Sequence, residues 1–543
     1  MYSCDDPGRL ASVAVVFVFS CTIFACGDDS GAAPSDAGTG SSAAMNAADA
    51  AGSDVDGATS QAAAGPCAVE ALAGRYGFLT SGHRDDKPHV AGGVLELKDD
   101  GSFALQGSSS TDGTLGEAAP SYGSFSMEGC RGTLTGPQGE AFMEFSVAGD
   151  GHELRYIVTE PMTVLTGVAK RVASGCTASS VVGSYAYGIN AIVYLNIDGF
   201  PMGASPFAGG GSVIVKDDGT MELVDTASIA GQIFPRSYMG SVTVEDDCTG
   251  SAVVMLPEAA PTSNNPVHVD IVWVEDGKEV LLIQRDEGTF IAGSARQQPA
   301  DESLCSMANL EGRYGFLTNG DREGTPHVAG GVLELKADGS FTLQGSTSTD
   351  GMLGEAAPSY GDFSMDGCRG SLTDPQGEAF LEFSVVGEGE ELRYIVTEPM
   401  TVLTGMAKRV ATGCTASNVV GSYAYGINAI VYLNIDGFPM GASPFAGGGA
   451  VIVTGDGTME LVDTASIAGQ IFPRSYSGSV TVEDDCTGSA MVMLPEAAPT
   501  SNNPVHVDIV WVDGREEAIL IQRDEGTFIA GSARQQPTQA SQL

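Results

Sequence analysis

The chain has 543 residues, too many for a single hydrophobic core, so several domains are expected. Aspartate and glutamate together number 69, against 25 lysines and arginines, which gives a formal net charge of -44. A field of this sign repels the phosphates of nucleic acids, so no nucleic-acid partner is expected.

The chain begins with a segment typical of exported proteins. The apolar run Leu10–Ala25 is too short for a comfortable membrane span but suits a signal-peptide core. It leads into Ile23-Phe24-Ala25-Cys26-Gly27, which resembles the lipobox of bacterial lipoproteins. The resemblance implies a signal peptide over residues 1–25, a lipid on Cys26 and a membrane partner through that anchor. It also implies an address in the bacterial cell envelope, facing the periplasm or the cell exterior.

Residues 26–66 follow as a predicted linker. Small residues and aspartate dominate this stretch, and no lysine or arginine occurs between Arg9 and Arg75. Such a composition buries too little apolar surface to offset the entropy lost on ordering. We therefore predict a flexible acidic tether.

The rest of the chain is a duplication. The stretch Val181–Gly211, VVGSYAYGINAIVYLNIDGFPMGASPFAGGG, returns unchanged at Val419–Gly449. Each copy divides again, because the spacing C-x6-G-x-Y occurs twice in each. The pattern predicts four related domains in the order A1, B1, A2 and B2, with the bounds 67–172, 176–298, 305–410 and 414–536.

Short strand-like runs with Gly, Asp or Pro in the links between them predict an all-β fold. Ser184–Ile197 alternates apolar and polar residues with a period of two, as a half-buried strand does. Eight sequential hairpin strands in each domain favour an antiparallel up-and-down barrel, with a β-sandwich as the alternative. The repeats are similar in pattern to uncharacterised exported bacterial β-domains. They resemble lipocalins in architecture only, because Gly183-Ser184-Tyr185 lacks the tryptophan of the G-x-W signature.

Eight cysteines follow the leader at regular spacing, and an even set in an exported chain indicates disulfides. We expect one disulfide in each domain: Cys67–Cys130, Cys176–Cys248, Cys305–Cys368 and Cys414–Cys486. Zinc sites favour close cysteine pairs such as C-x-x-C, which the sequence lacks, so no metal site is predicted.

No familiar catalytic motif occurs in the sequence, and we predict no catalytic residue and no cofactor. His268 and Asp270 share one face of a predicted strand and recur at His506 and Asp508. Such a pair could bind a metal or act as a general base. Because the opposite face of the strand is the apolar one, a solvent-facing polar contact is favoured.

The unusual feature is an apolar link from Asp198 to Phe207 in B1, which recurs in B2. Apolar loop residues need cover, so they either plug the barrel end or pack on a neighbour, or form the lip of a ligand cavity or a partner contact. The predicted ligand-binding residues are Tyr185, Tyr187, Asn190, Phe200, Met202 and Phe207, with Tyr423, Tyr425, Asn428, Phe438, Met440 and Phe445.

These observations predict a cell-envelope lipoprotein that acts as a binding or structural module without enzymatic activity. The first alternative is a calycin-like carrier that holds a small apolar ligand in the B domains. The second is a barrel isomerase or cyclase. A small apolar ligand or a protein is the expected soluble partner.

Overall fold

The computed structural model describes residues 65–197, 200–256, 265–435, 438–494 and 503–538. Within these ranges it leaves out the side chains of 195–197, 200–203, 433–435, 438–441 and 528. The predicted signal peptide, Cys26 and nearly all of the predicted tether lie outside the described residues. The described chain is almost entirely β-structure and forms four closed, eight-stranded antiparallel barrels. The predicted barrel fold is therefore confirmed, and the sandwich alternative is wrong.

Barrel A1 is an up-and-down barrel closed by the pairing of its second and third strands, with one short extra strand on its rim. Its strands are β1 (Gly74–Arg84), β2 (Lys87–Leu97), β3 (Ser102–Thr111), β4 (Thr114–Glu117), β5 (Tyr122–Glu128), β6 (Arg131–Thr135), β7 (Ala141–Ala148), β8 (Glu153–Val158) and β9 (Thr163–Arg171). The extra strand is β4, which pairs with β3 across a turn at Asp112-Gly113. Both turn residues have positive φ, 51° and 76°, as tight hairpin turns require.

Barrel B1 has the same order of neighbours and is closed by its first two strands. Its strands are β10 (Gly183–Ile197), β11 (Phe200–Val215), β12 (Thr220–Ile229), β13 (Gln232–Val244), β14 (Thr249–Met255), β15 (Val267–Val274), β16 (Glu279–Gln284), β17 (Thr289–Phe290) and β18 (Ala292–Gln297). The link predicted from Asp198 to Phe207 is mostly strand, because β11 already begins at Phe200. Its glycines and prolines suggested a loop, but they lie in a long hairpin with β10.

Barrels A2 and B2 repeat this arrangement. The strands of A2 are β19 (Gly312–Arg322), β20 (Thr325–Leu335), β21 (Ser340–Thr349), β22 (Met352–Glu355), β23 (Tyr360–Asp366), β24 (Arg369–Thr373), β25 (Ala379–Val386), β26 (Glu391–Val396) and β27 (Thr401–Arg409). Those of B2 are β28 (Gly421–Ile435), β29 (Phe438–Val453), β30 (Thr458–Ile467), β31 (Gln470–Val482), β32 (Thr487–Met493), β33 (Val505–Val512), β34 (Glu517–Gln522), β35 (Thr527–Phe528) and β36 (Ala530–Gln535).

Helix is confined to single turns in the described residues. The α-helical turns are α1 (Val69–Leu72) and α2 (Met307–Leu310), each at the entry to an A barrel. The 3-10 turns are Gly149–Gly151, Glu275–Gly277, Glu302–Cys305 and Asp513–Arg515. No helix among the described residues has the length and apolar character needed to cross a bilayer.

Each barrel carries one disulfide, and the four pairs are those expected from the cysteine spacing: Cys67–Cys130, Cys176–Cys248, Cys305–Cys368 and Cys414–Cys486. Each disulfide closes a loop of 63 or 72 residues that joins the entry of the barrel to its later strands. Disulfides persist in oxidising compartments, so this protein is extracytoplasmic.

The four barrels contact one another in a closed ring, A1 to B1 to A2 to B2 and back to A1. We call each contact face a seam. Charged pairs cross all four seams, and the glutamate of each pair is only 2–3% exposed. These pairs, with their nitrogen–oxygen distances, are Lys170–Glu279 (2.6 Å), Arg296–Glu391 (2.8 Å), Lys408–Glu517 (2.5 Å) and Arg534–Glu153 (3.3 Å).

Glycines allow the barrels to approach closely at the seams. A Cβ on Gly210 of B1 would lie 3.1 Å from the Cβ of Ile395 in A2, and Gly448 stands in the same relation to Ile157 of A1. At the A1–B1 seam, a Cβ on Gly77 would lie 2.9 Å from methyl groups of Val272 and Val274. Part of the glycine-rich repeat therefore serves packing between barrels.

Candidate functional site

The long hairpin of β10 and β11 forms one wall of the B1 interior. Because side chains alternate along a strand, the odd-numbered residues of β10 all point to the same face. Tyr185, Tyr187, Ile189 and Val193 are each no more than 8% exposed and belong to the apolar interior of B1. The alternation noted in the sequence thus defines the inside of the barrel.

The interior of B1 is not filled. It contains a cavity of about 200 Å³, lined mainly by hydrocarbon from strands all around the barrel. Its lining includes Val254 and Trp273 from one apolar cluster and Phe207 and Ile229 from a second. A wall of this kind suits an apolar molecule, because it offers dispersion contacts and few hydrogen bonds.

A buried ion pair stands at the wall of this cavity. Asp225 is 2% exposed and accepts two hydrogen bonds from Arg236, at 2.9 Å from Nε and 2.5 Å from Nη2. The hydroxyl of Tyr187 donates to the same carboxylate. Burial and the Asp225 charge raise the pKa of Tyr187 well above its usual value, so the phenol stays protonated as a donor. The charges compensate each other, and the cavity wall has no net charge from this cluster.

Tyr238 lines the cavity beside this ion pair. Its side chain is buried, and the Arg236 guanidinium lies 5.1 Å from the centre of its ring. Its hydroxyl has no hydrogen-bond partner among the described residues. Buried hydroxyls are nearly always hydrogen-bonded, so this one, on a residue that lines the cavity, has unused hydrogen-bonding capacity.

Of the residues predicted to bind a ligand in B1, the structure brings Tyr185, Tyr187 and Phe207 together around the cavity. Asn190 lies on the other face of β10, where its Nδ2 donates to the carbonyl oxygen of Asn319 in A2 at 2.7 Å. The side chains of Phe200 and Met202 lie outside the described residues. Binding by the three cavity residues stays a prediction, and Asn190 serves the seam.

The B2 residues follow the same division. Tyr423, Tyr425 and Phe445 are buried inside the barrel. Asn428 donates to the carbonyl oxygen of Ser81 in A1 at 2.7 Å, across the opposite seam. The side chains of Phe438 and Met440 lie outside the described residues.

Sequence reasoning missed Asp225, Arg236 and Tyr238. A signal was present, because Arg236 and Tyr238 are two residues apart on β13 and therefore share a face. Asp225 interrupts the apolar face of β12 that carries Leu223 and Ala227, which indicates a buried charge that needs a partner. Their pairing could not be read from sequence, since Asp225 and Arg236 meet only across a hairpin.

Other cavities in the described residues differ from the B1 cavity in size and chemistry. Barrel A2 encloses about 160 Å³ and barrel A1 only about 50 Å³. A larger, polar cavity of about 700 Å³ lies where A1, B1 and B2 meet, and its wall includes Glu153, Glu275, Arg296 and Arg534. These side chains already pair with one another, so the wall is a set of satisfied charges.

In the structure, His268 and Asp270, which the sequence places on one strand face, have different partners. The Nδ1 of His268 lies 2.9 Å from Asp286 Oδ1, whereas Asp270 pairs with Arg285 at 3.1 Å. His268 is half-exposed, as expected for a solvent-facing polar contact. Within the described ranges no cluster of three or more His, Cys, Asp or Glu side chains is placed to hold a metal ion.

Comparison with known proteins gives little sequence similarity. No family model matches the chain. A curated protein named NAD kinase, from Nocardia farcinica (strain IFM 10152), is 24% identical over 255 residues, covering 41% of this chain and 78% of that protein. The prediction that the chain lacks enzymatic activity is contradicted by this match and is wrong.

Two of the solved structures to which this chain is similar are transferrin binding proteins B. The Trp-176-Ala mutant from Haemophilus parasuis Hp5 is 9% identical and covers 87% of this chain and 97% of its own, with a TM-score of 0.19. The isotype 1 protein from serogroup B Neisseria meningitidis is 8% identical and covers 73% and 85%, also with a TM-score of 0.19. We draw no functional conclusion from likenesses at this TM-score.

Proposed function

We propose that barrel B1 binds a small, uncharged and largely apolar molecule. The observation that carries the proposal is the unfilled, hydrocarbon-lined cavity inside the barrel. Protein interiors are normally close-packed, and a void sacrifices the contacts that its lining would otherwise make. A ligand in this space would restore those contacts.

The size of the cavity limits the ligand. An apolar protein cavity of about 150 Å³ stays dry and takes up benzene, so about 200 Å³ holds one substituted aromatic ring or a short branched chain. A fatty acid or a haem is too large for this space. The proposed ligand is therefore smaller than the long-chain molecules that wide barrels enclose.

The charge balance of the wall points to an uncharged ligand. Asp225 is neutralised by Arg236, and the other lining residues are mostly aliphatic or aromatic. A charged ligand would lose its hydration without gaining a counter-ion, which costs far more than the apolar contacts return.

We propose further that the protein is held to the cell envelope by a lipid on Cys26. Support comes from the lipobox-like residues before Cys26 and from the disulfides, which indicate export. Replacing Cys26 by serine should move the protein from the membrane fraction to the soluble fraction of a producing bacterium. A Cys26→Ser variant that still fractionates with membranes would contradict the anchor.

The binding proposal is tested by filling the cavity. Val254 points into it, whereas Val253, the next residue on β14, faces outward and is half-buried. We expect Val254→Phe to abolish the heat of toluene binding in calorimetry and Val253→Phe to leave it unchanged. Equal binding by both variants, or no binding by the unmodified protein, would refute a ligand site in B1.

The NAD kinase match supports a second candidate, phosphorylation of NAD. That activity belongs to the Nocardia farcinica protein, and for this chain it is supported by the sequence match alone. Incubating the protein with NAD, a nucleoside triphosphate and Mg²⁺ and measuring NADP formation tests it directly. NADP above the level of a heat-inactivated sample is the positive result, and none at high protein concentration rejects this candidate.

A further inference from the structure

We infer that the ligand of barrel B1 carries one hydrogen-bond acceptor, a carbonyl or ether-like oxygen on an otherwise apolar body, and that Tyr238 donates to it. This inference rests on the proposed function, because it specifies the chemistry of a ligand in the same cavity. It selects small aromatic ketones and related molecules over plain hydrocarbons.

The hydroxyl of Tyr238 is the observation behind this inference. It is buried, belongs to a residue in the cavity wall, and has no partner among the described residues. A buried donor without a partner carries a desolvation penalty, which a hydrogen bond to a ligand oxygen would offset. A purely hydrocarbon ligand would leave this cost in place.

The other tyrosine hydroxyls of the B1 interior are already used. Tyr185 donates to the carbonyl oxygen of Val181 at 2.9 Å, and Tyr187 donates to Asp225. These two phenols therefore hold the barrel wall together. In the cavity wall, Tyr238 is the tyrosine with hydrogen-bonding capacity to spare, as far as the described residues go.

The neighbouring charge favours donation by this hydroxyl. Burial raises the pKa of Tyr238, and the Arg236 guanidinium beside its ring acts in the opposite direction. The phenol thus stays protonated, while the adjacent positive charge makes its proton a better donor. An acceptor on the ligand fits this polarity better than a second donor.

The equivalent tyrosine of B2 provides a matched control. The Arg474 guanidinium lies 5.3 Å from the centre of the Tyr476 ring, and the hydroxyl of Tyr476 is not among the buried side-chain atoms without a partner, as that of Tyr238 is. The wall also changes, because Val280 of B1 is replaced by Ala518 in B2. The same substitution in the two barrels therefore separates an effect on the proposed hydrogen bond from a general effect of removing a phenol oxygen.

The experiment compares two probes of nearly equal shape, acetophenone and α-methylstyrene, which differ in having C=O or C=CH2. Their dissociation constants are measured by calorimetry for the full chain, for Tyr238→Phe and for Tyr476→Phe. We expect Tyr238→Phe to weaken acetophenone binding roughly three- to tenfold, the value of one hydrogen bond. Its α-methylstyrene binding, and both affinities of Tyr476→Phe, should stay within twofold of those of the unmodified protein.

The outcomes separate this inference from the proposal beneath it. If both probes bind the unmodified protein and Tyr238→Phe changes neither affinity, the acceptor is refuted and the apolar site stands. An equal loss for both probes would show that Tyr238 only packs, which also overturns the inference. If neither probe binds the unmodified protein, the proposed ligand site itself fails.

Discussion

The interior of barrel B1 and the seams between barrels are built in opposite ways. Inside B1 most side chains are apolar, with the Asp225–Arg236 pair as an exception, and they leave about 200 Å³ unfilled. At the seams the side chains include buried charges, yet those charges are paired and the backbones approach through glycines such as Gly210. Paired charges and close packing therefore stabilise the ring at the seams, whereas the interior of B1 leaves space that its own side chains do not fill.

Acid should affect the seams most, because several of their carboxylates titrate together. Burial raises the pKa of Glu153, but attraction by Arg155, Lys170 and Arg534 outweighs it and lowers the pKa to about 2. The pKa of an unfolded glutamate is about 4.3. The contribution of ionised Glu153 to the free energy of unfolding is therefore complete above that pH and is lost as the pH falls toward 2. Denaturant titrations should show the free energy of unfolding dropping steeply below pH 4.

A milder loss should precede it, because burial lowers the pKa values of His89 and His327 to about 4. Between pH 6.5 and 4 the unfolded state then binds more protons than the folded state. The free energy of unfolding therefore decreases as the pH is lowered through that window as well. Replacing both histidines by glutamine should reduce this first stage and leave the second unchanged; burial also lowers the pKa of His83, which accounts for what is left of the first stage. A stability that stays flat from pH 7 to pH 3 would contradict the account of the seams.

The next largest effect is expected from Glu391→Gln. Glu391 is 3% exposed and pairs with Arg296 across the seam and with Arg393 in its own barrel. Removing one partner of a buried pair leaves uncompensated charge and costs about 3–5 kcal/mol. Chemical denaturation should show this loss in the free energy of unfolding.

The control for Glu391→Gln is Glu222→Gln. Glu222 pairs with Lys216 on the surface, where both side chains are about 40% exposed. Because solvent screens such an exposed pair, it contributes little to stability. Similar losses for the two variants would mean that burial of the seam charges has no special weight.

A smaller effect is expected from Gly210→Val, which overpacks the B1–A2 seam. The added side chain meets Ile395, and overpacking of this kind costs about 1–3 kcal/mol. Gly455 is the control position, since its nearest neighbour would be a methyl group of Val420 at 3.8 Å. Thermal unfolding of Gly210→Val and Gly455→Val compares the two, and equal melting temperatures would argue against a tight seam.

The smallest effects distinguish two phenols inside B1. Tyr187→Phe removes a donor from the buried Asp225 and should cost about 1–3 kcal/mol. Tyr238→Phe removes a buried hydroxyl without a partner among the described residues, so it should not lower the free energy of unfolding and should raise it by up to about 1–3 kcal/mol. Denaturant titration measures both, and a loss of stability for Tyr238→Phe would show that its hydroxyl is already in use.

The sequence predicted the parts of the fold that depend on local pattern. Alternation along Ser184–Ile197 identified the inward face of β10, and the even cysteine set indicated the disulfides. The link from Asp198 to Phe207 was misjudged because its glycines and prolines resemble a loop, although most of it is strand.

The ring and its seams were beyond sequence reasoning, for a physical reason. The partners Arg296 and Glu391 are 95 residues apart, and Glu153 and Arg534 are 381 apart. Alternation along one strand tells which side chains face outward, but it does not tell which neighbour they meet. Asn190 illustrates this: it was predicted to bind a ligand, but its side chain contacts Asn319 of another barrel.

The most direct test of the central claim is a crystal structure of the protein soaked with acetophenone. We expect density for the acetophenone ring inside barrel B1, with its carbonyl oxygen within about 3 Å of the Tyr238 hydroxyl. A B1 interior filled by its own side chains, with no density for the probe in a crystal soaked near saturation, would contradict that claim.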